Sequence, residues 1–248
     1  MKKTIKLIGI IVLAAVIGFS MSCGGDEGTG GSSGTGDGGD NNSGTDTLTF
    51  SGQVYDEIWG DDNTANHVPL TITYTASNKS LELTDSLSCG SGKIQNGQLS
   101  YTVGKPDASE INMSINDLFS RFRYSTITVN QSNVKCNLLD FICGHDSWFE
   151  RRSYTLNKTD NETTLSMKFA YYLYVDKACN VKATGITFTD EDGVNNTLPN
   201  VNIDIKKGWN TLIVNAFAIE DNTSGKTTKM SFTSISIGDA SSLKWVLL

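Results

Sequence analysis

The residues that could do chemistry are most concentrated at Cys143-Gly144-His145-Asp146. A thiol with an imidazole two residues away has the components of a nucleophile and its general base. Two such residues on an extended chain point to the same side, but their spacing alone does not provide a hydrogen bond, and no oxyanion-hole or nucleophile-elbow motif flanks them. We therefore interpret this run as a polar turn, and the sequence predicts no catalytic residue.

Cys23 has a different chemical role, as a candidate lipid attachment point. It follows three lysines and an apolar run over residues 7–19, which is shorter than the roughly 20 residues that span a hydrocarbon core. This leader resembles a bacterial lipoprotein signal peptide, although Ser20 stands where the cleavage box usually has Leu. The resemblance implies cleavage after Ser22 and attachment of acyl chains such as palmitate to Cys23. The predicted partner is therefore a membrane, bound through the N-terminal acyl chains.

The segment behind Cys23 reads as a flexible tether. Residues 24–47 contain no apolar residue, no Lys and no Arg, and they are rich in Gly, Ser, Asp and Asn, so they cannot form a core. A Gly-rich coil of this length spans on the order of 25 to 30 Å. We divide the chain into a signal peptide at 1–22, the acylated cysteine and tether at 23–47, and a single domain at 48–248.

The charge of the chain argues against nucleic acid as a partner. The formal net charge is −7, which becomes −10 once the three leader lysines are removed, and the tether carries five of the acidic residues. The domain at 48–248 therefore keeps a net charge of −5, whereas nucleic-acid binding requires a basic surface. We predict an exported protein of the bacterial cell envelope, anchored by lipid at the outer membrane or the cell surface.

Four cysteines lie beyond Cys23, and an even number in an exported chain is typical of disulfides. Cys136 and Cys143 bracket a six-residue loop, so we predict this pair, which leaves Cys89 to pair with Cys179. Four free thiols are the alternative. Structural zinc has less support, because the chain contains no CxxC.

The sequence contains two further kinds of candidate site. The acidic loop with Asp190, Asp192 and Asn195 supplies oxygen ligands that Ca²⁺ accepts, but it lacks the spacing and distal Glu of the twelve-residue calcium loop, so we predict solvated turns and no metal or cofactor. Trp59, in a polar loop, is the aromatic residue we expect to be exposed and the candidate for stacking on a sugar ring.

The elements that must position these residues are predicted to be β-strands. Residues 165–175 have an apolar residue at every odd position, and Tyr172 and Tyr174 on the even face indicate that both faces are covered. Similar runs recur along the chain, separated by glycines and polar turns. The sequence predicts an all-β fold, an antiparallel β-sandwich.

Three local features refine this prediction. Asn96-Gly97 favours a tight hairpin turn. The apolar face switches between Phe232 and Ile235, which predicts a bulge near residues 233–234. Apolar residues at helical spacing after a capping-box-like Asp107 predict one short helix around residues 108–120, although the same stretch also alternates as a strand would.

Several short motifs carry a resemblance to a known group of proteins. They run from Gly92 to Leu99, from Val103 to Pro106 and from Tyr174 to Lys177, with Lys206-Lys207-Gly208-Trp209-Asn210 and the terminal Lys244-Trp245. In these motifs the chain resembles predicted lipoproteins of spirochaetes and related anaerobic bacteria, over most of residues 48–248. The resemblance implies an anchored, exported, mostly β domain and brings no catalytic residue with it.

The function that these features predict is a binding or interaction module on the envelope, with an extracytoplasmic protein or glycan as its ligand. One alternative is a glycan-processing or other hydrolytic enzyme, which requires paired carboxylates in one cleft, and the sequence offers many acids but no means of pairing them. The other alternative is a purely structural surface protein.

Overall fold

The computed structural model of the chain describes residues 44–56, 80–143 and 147–247. Within these ranges the chain forms seventeen strands and one helix. In chain order they are β1 (Leu48–Asp56), β2 (Ser80–Asp85), β3 (Gly90–Gln95), β4 (Gln98–Val103), β5 (Met113–Ser114), α1 (Ile115–Arg121), β6 (Ile127–Val129), β7 (Lys135–Leu139), β8 (Phe141–Cys143), β9 (Ser147–Lys158), β10 (Glu162–Val175), β11 (Cys179–Ala183), β12 (Thr187–Thr189), β13 (Asn195–Thr197), β14 (Val201–Ile205), β15 (Gly208–Asp221), β16 (Lys226–Ile237) and β17 (Lys244–Leu247).

The described strands form two sheets, which confirms the predicted all-β class. The large sheet has the strand order β12-β13-β16-β15-β10-β9-β17-β1-β4-β3-β2-β8, and β8 also pairs with β9, so the seven strands from β9 to β8 close a ring. Strands β5 and β7 join this sheet beside β10. The second sheet has three strands in the order β14-β11-β6.

Strand β10 is the centre of the large sheet, and its apolar alternation explains why. Leu165, Phe169 and Leu173 point from its odd positions into one core, whereas Tyr172 and Tyr174 point from its even positions into another. The strand pairs with β15 over its whole length, from Glu162↔Asp221 to Val175↔Gly208. The sequence prediction of a central strand with both faces covered is therefore confirmed.

Each face of β10 belongs to a separate apolar core. The sandwich core lies between the large sheet, the three-stranded sheet and α1, and it includes Phe119, Phe169 and Ile203. The ring core is formed by the seven-stranded ring together with the even face of β10 and neighbouring residues of β7 and β15, and it is rich in aromatic residues. There Phe50 lies 5.2 Å from Phe141 and 5.5 Å from Trp245, measured between ring centroids, with edge-to-face geometry.

Two local predictions are also confirmed. Asn96 and Gly97 connect β3 to β4 with φ angles of 52° and 73°, which is the backbone that an Asn-Gly hairpin turn requires. In the β15–β16 ladder Asn215 pairs with Ser234, and the next residue, Ala216, pairs with Phe232. Thr233 is therefore the extra residue of a bulge at the predicted position.

The predicted helix exists but begins later than expected. Helix α1 starts at Ile115, and its N-cap is Ser114, whose hydroxyl accepts a hydrogen bond from the Asp117 N–H at 3.0 Å. Met113 and Ser114 instead form β5, paired with β7, because the alternating apolar residues of this stretch suit a strand. Asp107 begins a turn, in which its carbonyl accepts a hydrogen bond from the Glu110 N–H.

The first described residues are attached to the sheet. The N–H of Gly44 donates to the Trp209 carbonyl, and the N–H of Trp209 donates to the Thr45 carbonyl at 2.8 Å. The Tyr174 hydroxyl lies 3.2 Å from the Asp46 carboxylate. Among the described residues, contacts with the sheet are already present at residues 44–46. No helix in the described part of the chain has the length and apolar character needed to cross a membrane.

Candidate functional site

A pocket opens at one end of the sandwich core, and we call it the Arg123 pocket. It lies between the segment that follows α1, the β12–β13 hairpin and the faces of β15 and β16. The pocket is small, with a cavity volume of about 60 Å³, below the roughly 300 to 1,000 Å³ of sites that enclose a whole drug-sized ligand, so only a narrow apolar group can enter it. Its lining consists of Phe122, Arg123, Phe188, Asp190, Asn196, Leu198, Val214, Met230, Phe232 and Ile235.

The apolar wall of this pocket is built by the β15–β16 ladder. Val214 lies opposite Ile235, and Ala216 lies opposite Phe232. Thr233 is the unpaired extra residue of the bulge. Phe232 and Ile235 therefore face the same side although they are three residues apart. Val214, Phe232 and Ile235 are also members of the sandwich core, so the pocket opens directly onto that core.

Arg123 stands at the end of α1 in a left-handed backbone conformation, with φ at 66°. Its N–H donates to the Ser120 carbonyl, and the Tyr124 N–H donates to the Phe119 carbonyl, which is the hydrogen bonding of a helix C-terminus closed by a left-handed residue. Its guanidinium carbon lies 5.3 Å from the centroid of the Phe188 ring, a cation–π arrangement. Among the residues that the structure describes, none accepts a hydrogen bond from this guanidinium.

Asp190 is the acidic residue of the pocket, and its carboxylate is engaged in the turn between β12 and β13. Oδ1 accepts hydrogen bonds from the N–H groups of Asp192 and Val194, and Oδ2 accepts one from the Asn196 amide at 3.0 Å. Desolvation alone raises the pKa of this carboxyl, but these hydrogen bonds and the nearby Arg123 outweigh it and lower the pKa. Asp190 is therefore ionised at neutral pH.

A second site lies where three strand pairings end, and we call it the carboxyl junction. The β8–β9 ladder ends at Phe141↔Phe149, the β7–β10 ladder at Leu139↔Tyr172 and the β9–β10 ladder at Arg151↔Ala170. Continuing each ladder by one residue brings together the same three side chains, which are those of Asp140, Glu150 and Tyr171. Directly opposed residues in such ladders have Cβ atoms about 5 Å apart.

The two carboxyl groups of this junction have different environments. Burial raises the pKa of Asp140 from 3.8 to about 6. Glu150 accepts a 2.7 Å charge-assisted hydrogen bond from the Arg152 guanidinium, with which it forms an ion pair. Burial also raises the pKa of Tyr171, with contributions from both Glu150 and Asp140, which agrees with the closeness that the register implies.

The structure corrects the predicted disulfides, because Cys89, Cys136 and Cys179 are free thiols. Cys89 packs against the ring core and Cys179 lies in the sandwich core, so β10 and its neighbours separate these two thiols. Cys136 is buried in the sandwich core, and the side chain of Cys143 lies outside the described residues. The alternative of free thiols therefore holds for the three described cysteines.

None of these thiols is prepared to act as a nucleophile. Burial raises the pKa of Cys136 to about 12, and burial with the nearby Asp85 carboxylate raises the pKa of Cys89 to about 12. Burial also raises the pKa of Cys179. Since the thiolate is the reactive form, all three thiols are inert at neutral pH.

Some of the remaining predicted site residues lie outside the described part of the chain, and others lie within it. Cys23, Trp59 and His145 lie outside the described residues. Asn195 is the first residue of β13, and its side-chain oxygen accepts a hydrogen bond from the Thr189 hydroxyl at 2.9 Å, whereas Asp192 is exposed in the preceding turn. Within residues 44–56, 80–143 and 147–247, no group of three or more His, Cys, Asp and Glu side chains could hold a metal ion.

Comparison with known proteins adds no family to this description. The chain matches no family model, no curated protein and no solved structure. The resemblance to spirochaete lipoproteins therefore stays a prediction from the sequence, and any function must be argued from the two sites themselves.

Proposed function

We propose that this protein is a lipid-anchored binding module of the bacterial cell envelope, and that its folded part binds a small apolar molecule in the Arg123 pocket. The observation that carries the proposal is the pocket itself, an opening into the sandwich core with a predominantly apolar lining. Concave sites of this kind, with a few polar groups at fixed positions, are the usual form of a small-molecule site. A ligand also gains the free energy of burying its apolar surface there.

The anchor and the tether support the location in this proposal. Acyl chains on Cys23 hold the processed chain on a membrane, and the Gly-rich tether predicted at residues 23–47 lets the folded part move above the headgroups. The net charge of −5 on residues 48–248 gives no attraction to anionic headgroups or to nucleic acid. The ligand is therefore taken up from the extracytoplasmic space.

Anchoring has its own test. Cells fed a clickable fatty acid should label the wild-type protein at Cys23, and the Cys23→Ala variant should carry no label. If the wild-type protein remains in the aqueous phase of a detergent phase separation, the anchor is absent and this part of the proposal is wrong.

Ligand binding is tested with the neutral dye N-phenyl-1-naphthylamine, whose fluorescence rises in an apolar site. The protein is the processed chain, residues 23–248, with Cys23→Ser so that no acyl chain competes. We expect saturable binding that Val214→Phe abolishes, because the added ring fills the pocket. Ser236→Phe is the matched control, because it adds the same ring at an exposed position of β16. Binding that survives Val214→Phe would place the dye elsewhere.

The carboxyl junction favours a second candidate function, hydrolysis of a glycosidic bond. Its support is that the β8–β9 register, continued by one residue, places Asp140 opposite Glu150, and that burial raises the pKa of Asp140 while Glu150 is paired with Arg152. Different environments likewise distinguish the general acid from the second carboxylate in glycosidases. A panel of envelope oligosaccharides should then be cleaved by the wild type and left intact by both Asp140→Asn and Glu150→Gln. Absence of cleavage together with saturable dye binding leaves the binding module as the function, and absence of both leaves a structural protein.

A further inference from the structure

We infer that the ligand of the Arg123 pocket carries an anionic head group, in the simplest case one carboxylate, which Arg123 binds while the apolar body enters the pocket. The ligand class is thus an amphipathic acid such as a medium-chain fatty acid or an aromatic acid. The inference rests on the proposed function, because it specifies what the same pocket selects.

The first observation is the type of residue at this backbone position. The left-handed residue that closes a helix is usually Gly, because a side chain is disfavoured at positive φ. Arg123 occupies this position with φ at 66°. Backbone strain at a pocket mouth points to a use for the side chain that outweighs the cost of holding it there.

The second observation is the state of the guanidinium. Its central carbon lies over the Phe188 ring, 5.3 Å from the centroid, and the Arg123 side chain is exposed at the pocket mouth. Among the described residues no acceptor meets the guanidinium N–H groups, although a planar guanidinium provides five donors in a geometry that matches a carboxylate. Phe188 is half-buried at the same mouth, so a carboxylate that reaches the guanidinium can place its apolar body in the pocket.

The acidic residue of the pocket does not satisfy Arg123. Both oxygens of Asp190 accept hydrogen bonds from within the β12–β13 turn, from two N–H groups and the Asn196 amide. Asp190 affects Arg123 through charge, and no ion pair within 4 Å joins them among the described contacts. Asp190 therefore helps to hold the guanidinium at the mouth and leaves its donors for the ligand.

The charged groups at the pocket mouth also make other head groups less favourable. An amine would meet the positive charge of Arg123, and its natural partner Asp190 already accepts three hydrogen bonds. A neutral alcohol could accept one hydrogen bond but would not gain the charge-assisted pairing, which is about twice as strong as a neutral one. The expected order of affinity is therefore carboxylate, then alcohol, then amine, for ligands with one and the same chain.

The test uses two dyes that differ in charge. 1-Anilinonaphthalene-8-sulfonate has the apolar body of N-phenyl-1-naphthylamine with an added sulfonate. We expect Arg123→Gln to lower the affinity for the anionic dye and for octanoate by about tenfold or more. The affinities for the neutral dye and for octanol should change by less than about twofold. Arg123→Lys should restore part of the loss, because it keeps the charge without the planar fork. Lys182→Gln is the control. It removes an exposed positive charge on β11 and should leave the affinities for both dyes and for octanoate unchanged.

Arg123→Gly separates recognition from folding. It relieves the strained backbone, so the melting temperature should not fall, while octanoate should bind about tenfold or more weakly than to the wild type. If both dyes bind the wild type and Arg123→Gln changes neither, the inference is wrong and the binding module stands. If neither dye binds and octanoate displaces nothing, the proposed function itself is wrong.

Discussion

Phe232 and Ile235 are three residues apart in β16, yet both side chains face the Arg123 pocket, because Thr233 is an unpaired residue between their two register positions. A strand alternates its faces at every residue, so a spacing of three places two side chains on opposite faces unless one residue is left out of the ladder. The bulge therefore places both side chains on one face of β16 and keeps this wall of the pocket continuous.

Deletion of Thr233 should be tolerated. Without it, Met230, Phe232, Ile235 and Ile237 alternate regularly and still share one face. Deletion of Ser231 is the matched control, because it puts Met230 and Phe232 on opposite faces. Loss of one large buried apolar side chain costs about 3 to 5 kcal/mol, so the Ser231 deletion should lower the free energy of unfolding by at least about 3 kcal/mol. Urea denaturation of both variants measures this, and equal losses would contradict the assignment of the bulge.

Two glycines allow the attachment of the N-terminal segment to be tested. Gly208 has φ at 93°, and a Cβ there would lie 2.5 Å from the Thr45 carbonyl oxygen. Gly193 has φ at 82°, and nothing lies within 4 Å of a Cβ there. Both positions strain an alanine backbone by about 1 to 2 kcal/mol, but only Gly208 adds a clash with backbone.

Gly208→Ala should therefore destabilise the protein clearly more than Gly193→Ala does. It should also separate residues 44–45 from Trp209, so that limited proteolysis cuts this segment sooner. The measurements are thermal melting and the rate of cleavage near residue 44. Equal melting temperatures with equal cleavage would show that the contact between Thr45 and Gly208 does not form.

The free thiols make a chemical prediction. Cys136 is buried with its pKa raised to about 12, so it should resist iodoacetamide in the folded protein and react in denaturant. Non-reducing peptide mapping should find no peptide that links Cys89 to Cys179. Such a linked peptide from freshly purified protein would reinstate the disulfide and show that these two thiols meet.

The sequence predicted the features that depend on neighbouring residues. Alternation in β10, the Asn-Gly turn and the bulge near residue 233 are each visible in a few adjacent side chains, because the face of a strand is set by its own pattern. The helix was predicted too early, since residues 111–115 suit both a strand and a helix and only pairing with β7 decides between them.

The two candidate sites depend on contacts that no local pattern reveals. Asp140, Glu150 and Tyr171 meet because three ladders end together, and the sequence does not specify the register between strands that are distant in the chain. Arg123 lies two residues beyond the end of α1 at Arg121, close to the predicted end, but the sequence does not show that this end meets the β12–β13 hairpin. The disulfide prediction failed for the same reason, because spacing does not tell which core a cysteine faces.

The pH dependence of stability tests the carboxyl junction. The pKa of Asp140 is raised from 3.8 to about 6 in the folded protein, so the folded state holds this proton more tightly than the unfolded state does. The contribution of Asp140 to stability is therefore constant below about pH 4, falls as the pH rises to about 6, and stays low above that. Two pH units correspond to about 3 kcal/mol, and partial exposure of the group reduces the expected loss to about 1 to 2 kcal/mol.

Asp140→Asn removes this ionisation while keeping the size of the side chain. The variant should match the wild type within about 0.5 kcal/mol at pH 4 and exceed its free energy of unfolding by about 1 to 2 kcal/mol at pH 7.5, because only the wild type must bury a charge there. Urea denaturation at a series of pH values measures the difference. Asp160→Asn, in the exposed turn before β10, controls for the loss of one negative charge. A difference between Asp140→Asn and the wild type that is the same at pH 4 and pH 7.5 would show that Asp140 is not held in a desolvated site.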